Sequence, residues 1–307
     1  MRVVLLALAL IAPLAARADD LGGEDLTAPK PQADAQPATL TGTLAKARLN
    51  GRLTLGYRDS AFPFSYVENG KPLGYSLDLC KGVVEEIARE IQAPVEADYA
   101  PVTASDRFEA VASGRVDLEC GSTTENVERR KQVAFSPLTF VAGVKLMTPA
   151  GSTLRSLREL STLAVVAGAT AESELKAMND KYKLGLTIVS SQGYDEAYAL
   201  VERGAVQALA ADDVLLKGLI ARQKGESAMR VVGDFLTYEP YGLMFRKDDS
   251  QMAAAVARAF AVMAADGALG RTYRTWFLAP TPTGETVGLP MSAQLTEAFH
   301  AMGAKDF

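Results

Sequence analysis

The chain has 307 residues, 48% hydrophobic and 22% charged, with a formal net charge of −5. That length exceeds one compact core, so two lobes are expected, and the composition excludes a disordered or fibrous chain. The acidic balance, with no basic stripe and interleaved aromatics, argues against a nucleic-acid partner. The single histidine, His300, sits too near the C-terminus to supply a Ser-His-Asp relay or a His-rich metal site. No cofactor, metal or catalytic group is expected.

Met1-Arg2 precedes an apolar run over residues 3–14 and an A-x-A-type site at Ala16-Arg17-Ala18, the pattern of a cleavable secretory signal over residues 1–18. The run is too short for a permanent spanning helix, and no cysteine marks a lipid anchor at the cleavage site. Cleavage removes Arg2 and Arg17 and no acid, leaving 30 basic against 37 acidic residues and a net charge of −7. Residues 19–42 carry Pro29, Pro31 and Pro37 without hydrophobic period, and read as a disordered leader on an exported protein.

The folded part is expected to open with a short helix over 43–49, stopped by Asn50-Gly51. Residues 52–58 alternate like a strand with one covered face, then enter the aromatic loop Phe62-Pro63-Phe64-Ser65-Tyr66 and an Asn69-Gly70 turn. Leu79, Val83, Ile87 and Ile91 recur at helical spacing, with Ser76 as the expected N-cap and Asp78 in the first turn. A strand at 94–99, a helix at 107–112 and a strand at 116–120 complete a first α/β series.

A second series follows. A long apolar strand over 141–147 leads to a short helix at 154–160, a buried strand at 163–166 and a helix at 171–178. Further strands are expected at 186–189, 206–210, 231–232 and 241–245, with helices at 195–202, 251–265 and 269–277. The last helix carries the only tryptophan, Trp276, as a packing residue.

Two junctions carry chemistry. In LECGSTTENVERRKQVAFS, residues 118–136, a strand ends in Gly121-Ser122-Thr123-Thr124, whose N–H and hydroxyl groups can turn to a ligand. Arg129 follows five residues after Thr124. Backbone donors, a helix start and a guanidinium together suit a carboxylate. Gly168-Ala169-Thr170 repeats the strand-to-helix junction in the second series. Ligands of open α/β sheets sit beyond the carboxyl ends of the strands. Arg58, Ser122, Thr124, Arg129, Thr170 and Asp212 occupy such ends. Two such lobes facing each other suit an α-amino acid, and an acidic one better: one carboxylate at Arg129, a second at another arginine, the ammonium at Asp212.

With these residues in view, the chain resembles the periplasmic amino-acid-binding proteins of bacterial ABC transporters (solute-binding protein family 3), closest to the glutamate/aspartate-binding subgroup. The matching segments run in family order from about residue 43 to 290: Gly56-Tyr57-Arg58, Pro63-Phe64-Ser65-Tyr66, Gly74-Tyr75-Ser76, Val102-Thr103 with Arg107, Glu119 to Thr124 with Val127-Glu128-Arg129, Gly168 with Thr170, Asp212-Asp213, and Tyr241-Gly242 with Arg246-Lys247-Asp248. The resemblance implies an α/β fold of two open, mostly parallel sheets joined by two hinge strands, near 141–147 and 239–245. One lobe would comprise 43–142 plus 245–307 and the other 143–244. It implies a monomer that closes on one small amino acid in the periplasm and hands it to membrane permease subunits, with no enzymatic step.

Carried over by position, Ser122, Thr124 and Arg129 hold the α-carboxylate with Thr170 opposite, Asp212 takes the ammonium, and Arg58 and Arg107 take the side-chain carboxylate. Four positions depart from the pattern: Tyr194 stands for a histidine, Ala104 and Ala171 for serines, and Glu125 for an asparagine beside the carboxylate site. They leave amino-acid binding in place and bear on the choice of glutamate or aspartate as the ligand. Tyr194 is left between pocket wall and surface aromatic, Asp212 and Asp213 between ammonium ligand and helix cap. Two other readings share the fold: a periplasmic dehydratase using Glu125, Glu172 or Glu174 as general acid, and a sensor module for a signalling partner. Cys80 and Cys120 stand between a disulfide, permitted outside the cytosol, and two inert buried thiols.

Overall fold

A computed structural model describes residues 39–225 and 227–305; the signal segment and the leader up to residue 38 lie outside the described residues. The elements in chain order are α1 (Gly42–Asn50), β1 (Arg52–Tyr57), β2 (Ser60–Ala61), β3 (Ser65–Glu68), β4 (Lys71–Leu73), α2 (Tyr75–Glu90), β5 (Glu96–Pro101), α3 (Arg107–Ala112), β6 (Leu118–Glu119), α4 (Val127–Arg130), β7 (Val133–Phe135) and β8 (Phe140–Ala142). Then come β9 (Val144–Pro149), β10 (Thr162–Val166), α5 (Thr170–Tyr182), β11 (Thr187–Ser191), α6 (Tyr194–Glu202), β12 (Ala208–Asp212), α7 (Asp213–Arg222), β13 (Met229–Val232), β14 (Glu239–Tyr241), β15 (Met244–Arg246), α8 (Ser250–Ala265), α9 (Ala268–Tyr273) and α10 (Ala293–Ala301).

Two five-stranded sheets form, in the orders β5-β1-β6-β15-β7 and β11-β10-β12-β9-β13. In each, a single strand runs against the rest: β15 is antiparallel to both β6 and β7, and β9 to both β12 and β13. These are the strands the chain enters from the crossing between lobes, so both sheets are mostly parallel, as the sequence implies. Both faces of the second sheet are covered, which explains its continuous apolar runs. Leu163 and Val165 of β10 face the core beneath Leu175 of α5, while Ala164 and Val166 face that of α6 and α7.

The two long apolar strands of the sequence are each cut in two at a glycine. Gly143 separates β8 from β9, and Gly242-Leu243 separates β14 from β15, so that β8 and β14 pair antiparallel as a ribbon between the sheets. A side chain at Gly143 would press on Phe235 and the Thr237 carbonyl, both at 2.6 Å. The backbone crosses there without room for one.

Other differences have local causes. Ser76 does not cap α2; Gly74 stands at the N-cap, and the Ser76 hydroxyl, two residues further on, donates to the Gly121 carbonyl at 2.7 Å. Asp78 does lie in the first turn and accepts from Trp276 Nε1 at 2.8 Å. The 154–160 segment supplies only a single turn, Leu157–Glu159, and β6 is reduced to two residues. Asn69 and Gly70, with φ of 51° and 73°, close the β3–β4 hairpin. The hairpin itself and α10 are elements the sequence reading did not place. Cys80 and Cys120 form a disulfide that ties α2 to the end of β6. Among the described residues no single helix is long and apolar enough to cross a membrane.

Candidate ligand-binding site

Every candidate residue lies at or just beyond the carboxyl end of a parallel strand. Arg58 follows β1, Arg107 opens α3 after β5, and Ser122 and Thr124 follow β6 with Arg129 on the short α4 beyond. From the second sheet, Thr170 opens α5 after β10, Tyr194 opens α6 after β11, and Asp212 ends β12. The lobes face each other with these ends together: Arg129 Nη2 donates to the Gly168 carbonyl at 3.4 Å, and Ser105 Oγ to the Ala167 carbonyl at 3.2 Å. Gly168, at φ 77°, comes so close that a side chain would meet the Ala104 carbonyl oxygen at 2.7 Å.

The first-lobe wall is cationic. Arg58, Arg107 and Arg129 are 3%, 3% and 9% exposed. Asn126 caps α4 by accepting from the Arg129 backbone N–H at 2.9 Å, and Arg129 Nη1 donates to the Thr124 carbonyl at 2.7 Å. The centre of the Phe108 ring stands 5.3 and 5.1 Å from the guanidinium carbons of Arg107 and Arg129. Burial, with Arg58 and then Arg129 nearby, pulls Arg107 down to about 9 against the opposing pull of Glu119. Among the described residues no carboxylate stands within salt-bridge distance of these three arginines. Arg107 Nε and Ser122 Oγ are buried without a hydrogen-bond partner. Buried polar atoms of this kind call for one.

The facing wall is anionic. Asp212, 7% exposed, accepts from the Tyr241 hydroxyl of the crossing ribbon. Burial, then the neighbouring Glu239 and Asp213 carboxylates, push Asp212 up to about 7 in spite of Tyr241 and Arg129. Glu239, 2% exposed, accepts from Thr170 Oγ1 at 2.8 Å and from Thr237 Oγ1 at 2.6 Å. The Thr170 hydroxyl proton is therefore spent on Glu239, leaving its oxygen to accept and its backbone N–H, at the start of the 13-residue α5, to face an anion.

Arg107 is buried, and the neighbouring Asp106 pairs with Arg115 at 2.7 Å. Asp213 turns to the crossing, its carboxylate accepting from Gly143 N at 3.5 Å, and Asp212 caps nothing with its side chain. Tyr194 is no surface aromatic: it is 5% exposed, and burial followed by Asp212 pushes its hydroxyl up to about 12 against Arg58, Arg107 and Arg129. Phe64 and Tyr66 are packing residues, the first against Tyr75, Phe140 and Tyr241, the second against Phe62 and Trp276.

Glu125 forms an ion pair with Arg130, which offsets its charge beside the site. Glu172 is partly buried, but hydrogen bonds from Lys176, Ser190 and the Gly168 N–H hold it down to about 2. Held ionised at neutral pH, Glu172 is not placed to serve as a proton donor.

Four residues of the site escaped the sequence reading as site residues: Glu239, Tyr241, Glu119 and Phe108. Glu119 is fully buried on β6, with Oε2 accepting from Thr123 Oγ1 at 2.8 Å and Oε1 unpartnered. It favours the charged form of Arg107 and, behind Glu239 and Asp212, that of Arg129. A carboxylate inside a buried strand, in LEC and in YEPYG, is the signal that finds Glu119 and Glu239, since burial of an unpaired charge is costly.

A family model described as bacterial extracellular solute-binding proteins, family 3, matches residues 53–279. The L-glutamate/L-aspartate-binding protein of Pseudomonas aeruginosa is 40% identical over 262 residues, covering 83% of this chain and 87% of that protein. The glutamate/aspartate import solute-binding protein of Escherichia coli is 34% identical over 281 residues, covering 90% and 92%. Among solved structures, an ancestral arginine-binding protein bound to arginine superposes with a TM-score of 0.67 at 27% identity, over 74% of this chain and 99% of that one.

Proposed function

Because this chain belongs to the bacterial extracellular solute-binding proteins of family 3, we propose that it captures an acidic L-amino acid, glutamate or aspartate, between its two lobes in the periplasm. It then delivers the ligand to the membrane permease of an ABC importer. The observation that carries this reading is the pair of buried, unpartnered groups, Arg107 Nε and Ser122 Oγ, inside a cluster of three arginines that faces a cluster of acids. The relatives named for glutamate and aspartate support it.

In this reading the α-carboxylate lies on Arg129, the Ser122 and Thr124 region and the N-terminus of α5, where charge-assisted donors converge. The ammonium lies on Asp212, with the Thr170 oxygen and Glu239 beside it. The side-chain carboxylate reaches Arg58 and Arg107, with Tyr194 as the wall opposite. The protein works by binding and release as a monomer, with no bond made or broken in the ligand. Its moving bodies are 43–142 plus 245–307 and 143–244, turning about Gly143 and Gly242-Leu243.

A thermal-shift screen of the mature protein against the amino acids and small dicarboxylates tests the proposal. Stabilisation is expected from L-glutamate and L-aspartate, growing with ligand concentration. A response confined to neutral or basic amino acids would overturn the assignment of Arg58 and Arg107, and a response to none would overturn the transport reading.

A further inference from the structure

The lobes meet along a second edge, away from the ligand site. Gly218 and Arg222 lie one turn apart on α7, and so on one face. A side chain at Gly218 would reach the Phe62 carbonyl oxygen at 2.6 Å, so this helix of the second lobe lies directly on the first-lobe segment that leads into β3. Arg222, at the end of α7, reaches over the hairpin. Its Nη2 donates to Glu68 Oε2 at 2.7 Å and to the Val67 carbonyl at 3.3 Å, and Nη1 lies 3.8 Å from Glu285 Oε1. The guanidinium also stands 4.7 Å from the centre of the Tyr66 ring.

The receiving site is built within the first lobe alone. The Tyr66 hydroxyl bonds Thr283 Oγ1 at 2.8 Å, and the Glu285 carboxylate accepts from Thr281 Oγ1 at 2.9 Å and from Thr283 Oγ1. Beside it, the Tyr194 N–H donates to Ser60 Oγ at 3.4 Å from α6. The same hairpin is tied to the ligand site, since the Arg58 backbone N–H donates to Ser65 Oγ at 2.8 Å.

We propose that Arg222 is the latch of the closed state, a positioning residue that touches no ligand and sets how long the ligand is retained. The inference rests on the reading that the lobes close around a ligand. A cation of one lobe is received by two carboxylates, a carbonyl and a ring of the other, and these contacts exist only while the lobes are together. The side chains of Arg222 and Glu68 are 25% and 32% exposed, so the pairing is partly screened and its effect on retention is modest. Because it acts on the open–closed equilibrium, its loss weakens every ligand by the same factor.

Stopped-flow dissociation of L-glutamate and L-aspartate from the mature protein and from Arg222→Ala provides the test. The variant is expected to release both about fivefold faster with their affinity ratio unchanged, and the gap is expected to narrow at high salt. Glu68→Gln should reproduce part of the effect, and the double variant should be no worse than Arg222→Ala alone. Dissociation rates report only folded, loaded molecules, so a loss of folded protein does not imitate the result. Unchanged rates, a change for one ligand only, or additive single effects would each overturn the latch. If the wild type binds neither amino acid, the functional reading falls. The latch is then decided by small-angle scattering of the ligand-free proteins: a larger radius of gyration in Arg222→Ala supports it, and an equal radius sinks it.

Discussion

The two walls of the cleft carry opposite charge, and in each, groups of like sign stand together. On the first lobe Arg58 and Arg129 help pull Arg107 down to about 9; on the other side Glu239 and Asp213 help push Asp212 up to about 7. Like charges have been gathered within each wall, where they repel, instead of being paired across the gap, where they would cancel. A buried charge is tolerated when its partner arrives. A ligand with two carboxylates and one ammonium supplies both missing sets at once, which a neutral or basic amino acid cannot do.

The largest expected effect falls on the scaffold behind the cationic wall. Cys80–Cys120 closes a loop of sequence separation 40 just before Gly121. Replacing both cysteines with serine should lower stability by about 4 kcal/mol in urea unfolding while leaving the affinity of the folded protein nearly intact. Wild-type protein denatured without reductant should show no reactive thiol.

Breaking the cationic wall itself comes next. Arg129→Ala removes the guanidinium that spans Thr124 and Gly168, and calorimetry should show a loss of about 3 kcal/mol, over ~100-fold in Kd, with the circular dichroism spectrum unchanged. Unaltered affinity would remove Arg129 from the site. Arg58→Met and Arg107→Met sharpen the comparison, since each should cost acidic ligands about tenfold or more while sparing neutral ones. An equal loss for both classes would instead mark them as structural.

The anionic wall is tested by pH. With its pKa raised from 3.8 to about 7, Asp212 favours its protonated form in the empty protein. Its contribution to the stability of the empty fold is therefore complete below about pH 4 and lost as pH rises through 7. An ammonium requires the carboxylate form, so affinity should fall as pH drops below 7, by up to about tenfold per unit. Asp212→Asn should bind weakly and show a flat profile over that range. The smallest effect is expected for Glu239→Gln, which keeps an acceptor for Thr170 but removes a charge beside Asp212. Its pH profile should shift downward, with a change in affinity of about 1 kcal/mol at neutral pH.

Much of this site was legible because the fold places ligand groups by rule. Strand-to-helix junctions are visible as apolar runs ending in Gly, Ser and Thr, and Arg58, Ser122, Thr124, Thr170 and Asp212 fall at those ends. What was hidden depends on packing across the chain. The breaks at Gly143 and Gly242 are invisible in runs that look like single strands, because only the crossing of β8 and β14 demands them. Ser76 has the residue type of a cap, yet tertiary contact with Gly121 claims its hydroxyl. Glu239 and Tyr241 read as crossing-strand residues because their partners, Thr170 and Asp212, come from elements far away in sequence. Tyr194 could not be assigned until α6 was seen to start at the cleft.

The most direct measurement is calorimetric titration of the mature protein with L-glutamate, L-glutamine and glutarate at neutral pH. Glutamine lacks the second carboxylate and glutarate lacks the ammonium, so each leaves one wall unsatisfied. The account predicts tight binding of L-glutamate and a loss of at least about 2 kcal/mol, more than ~30-fold, for each of the others. Glutamine binding as tightly as glutamate would contradict the role of Arg58 and Arg107, and glutarate doing so would contradict that of Asp212.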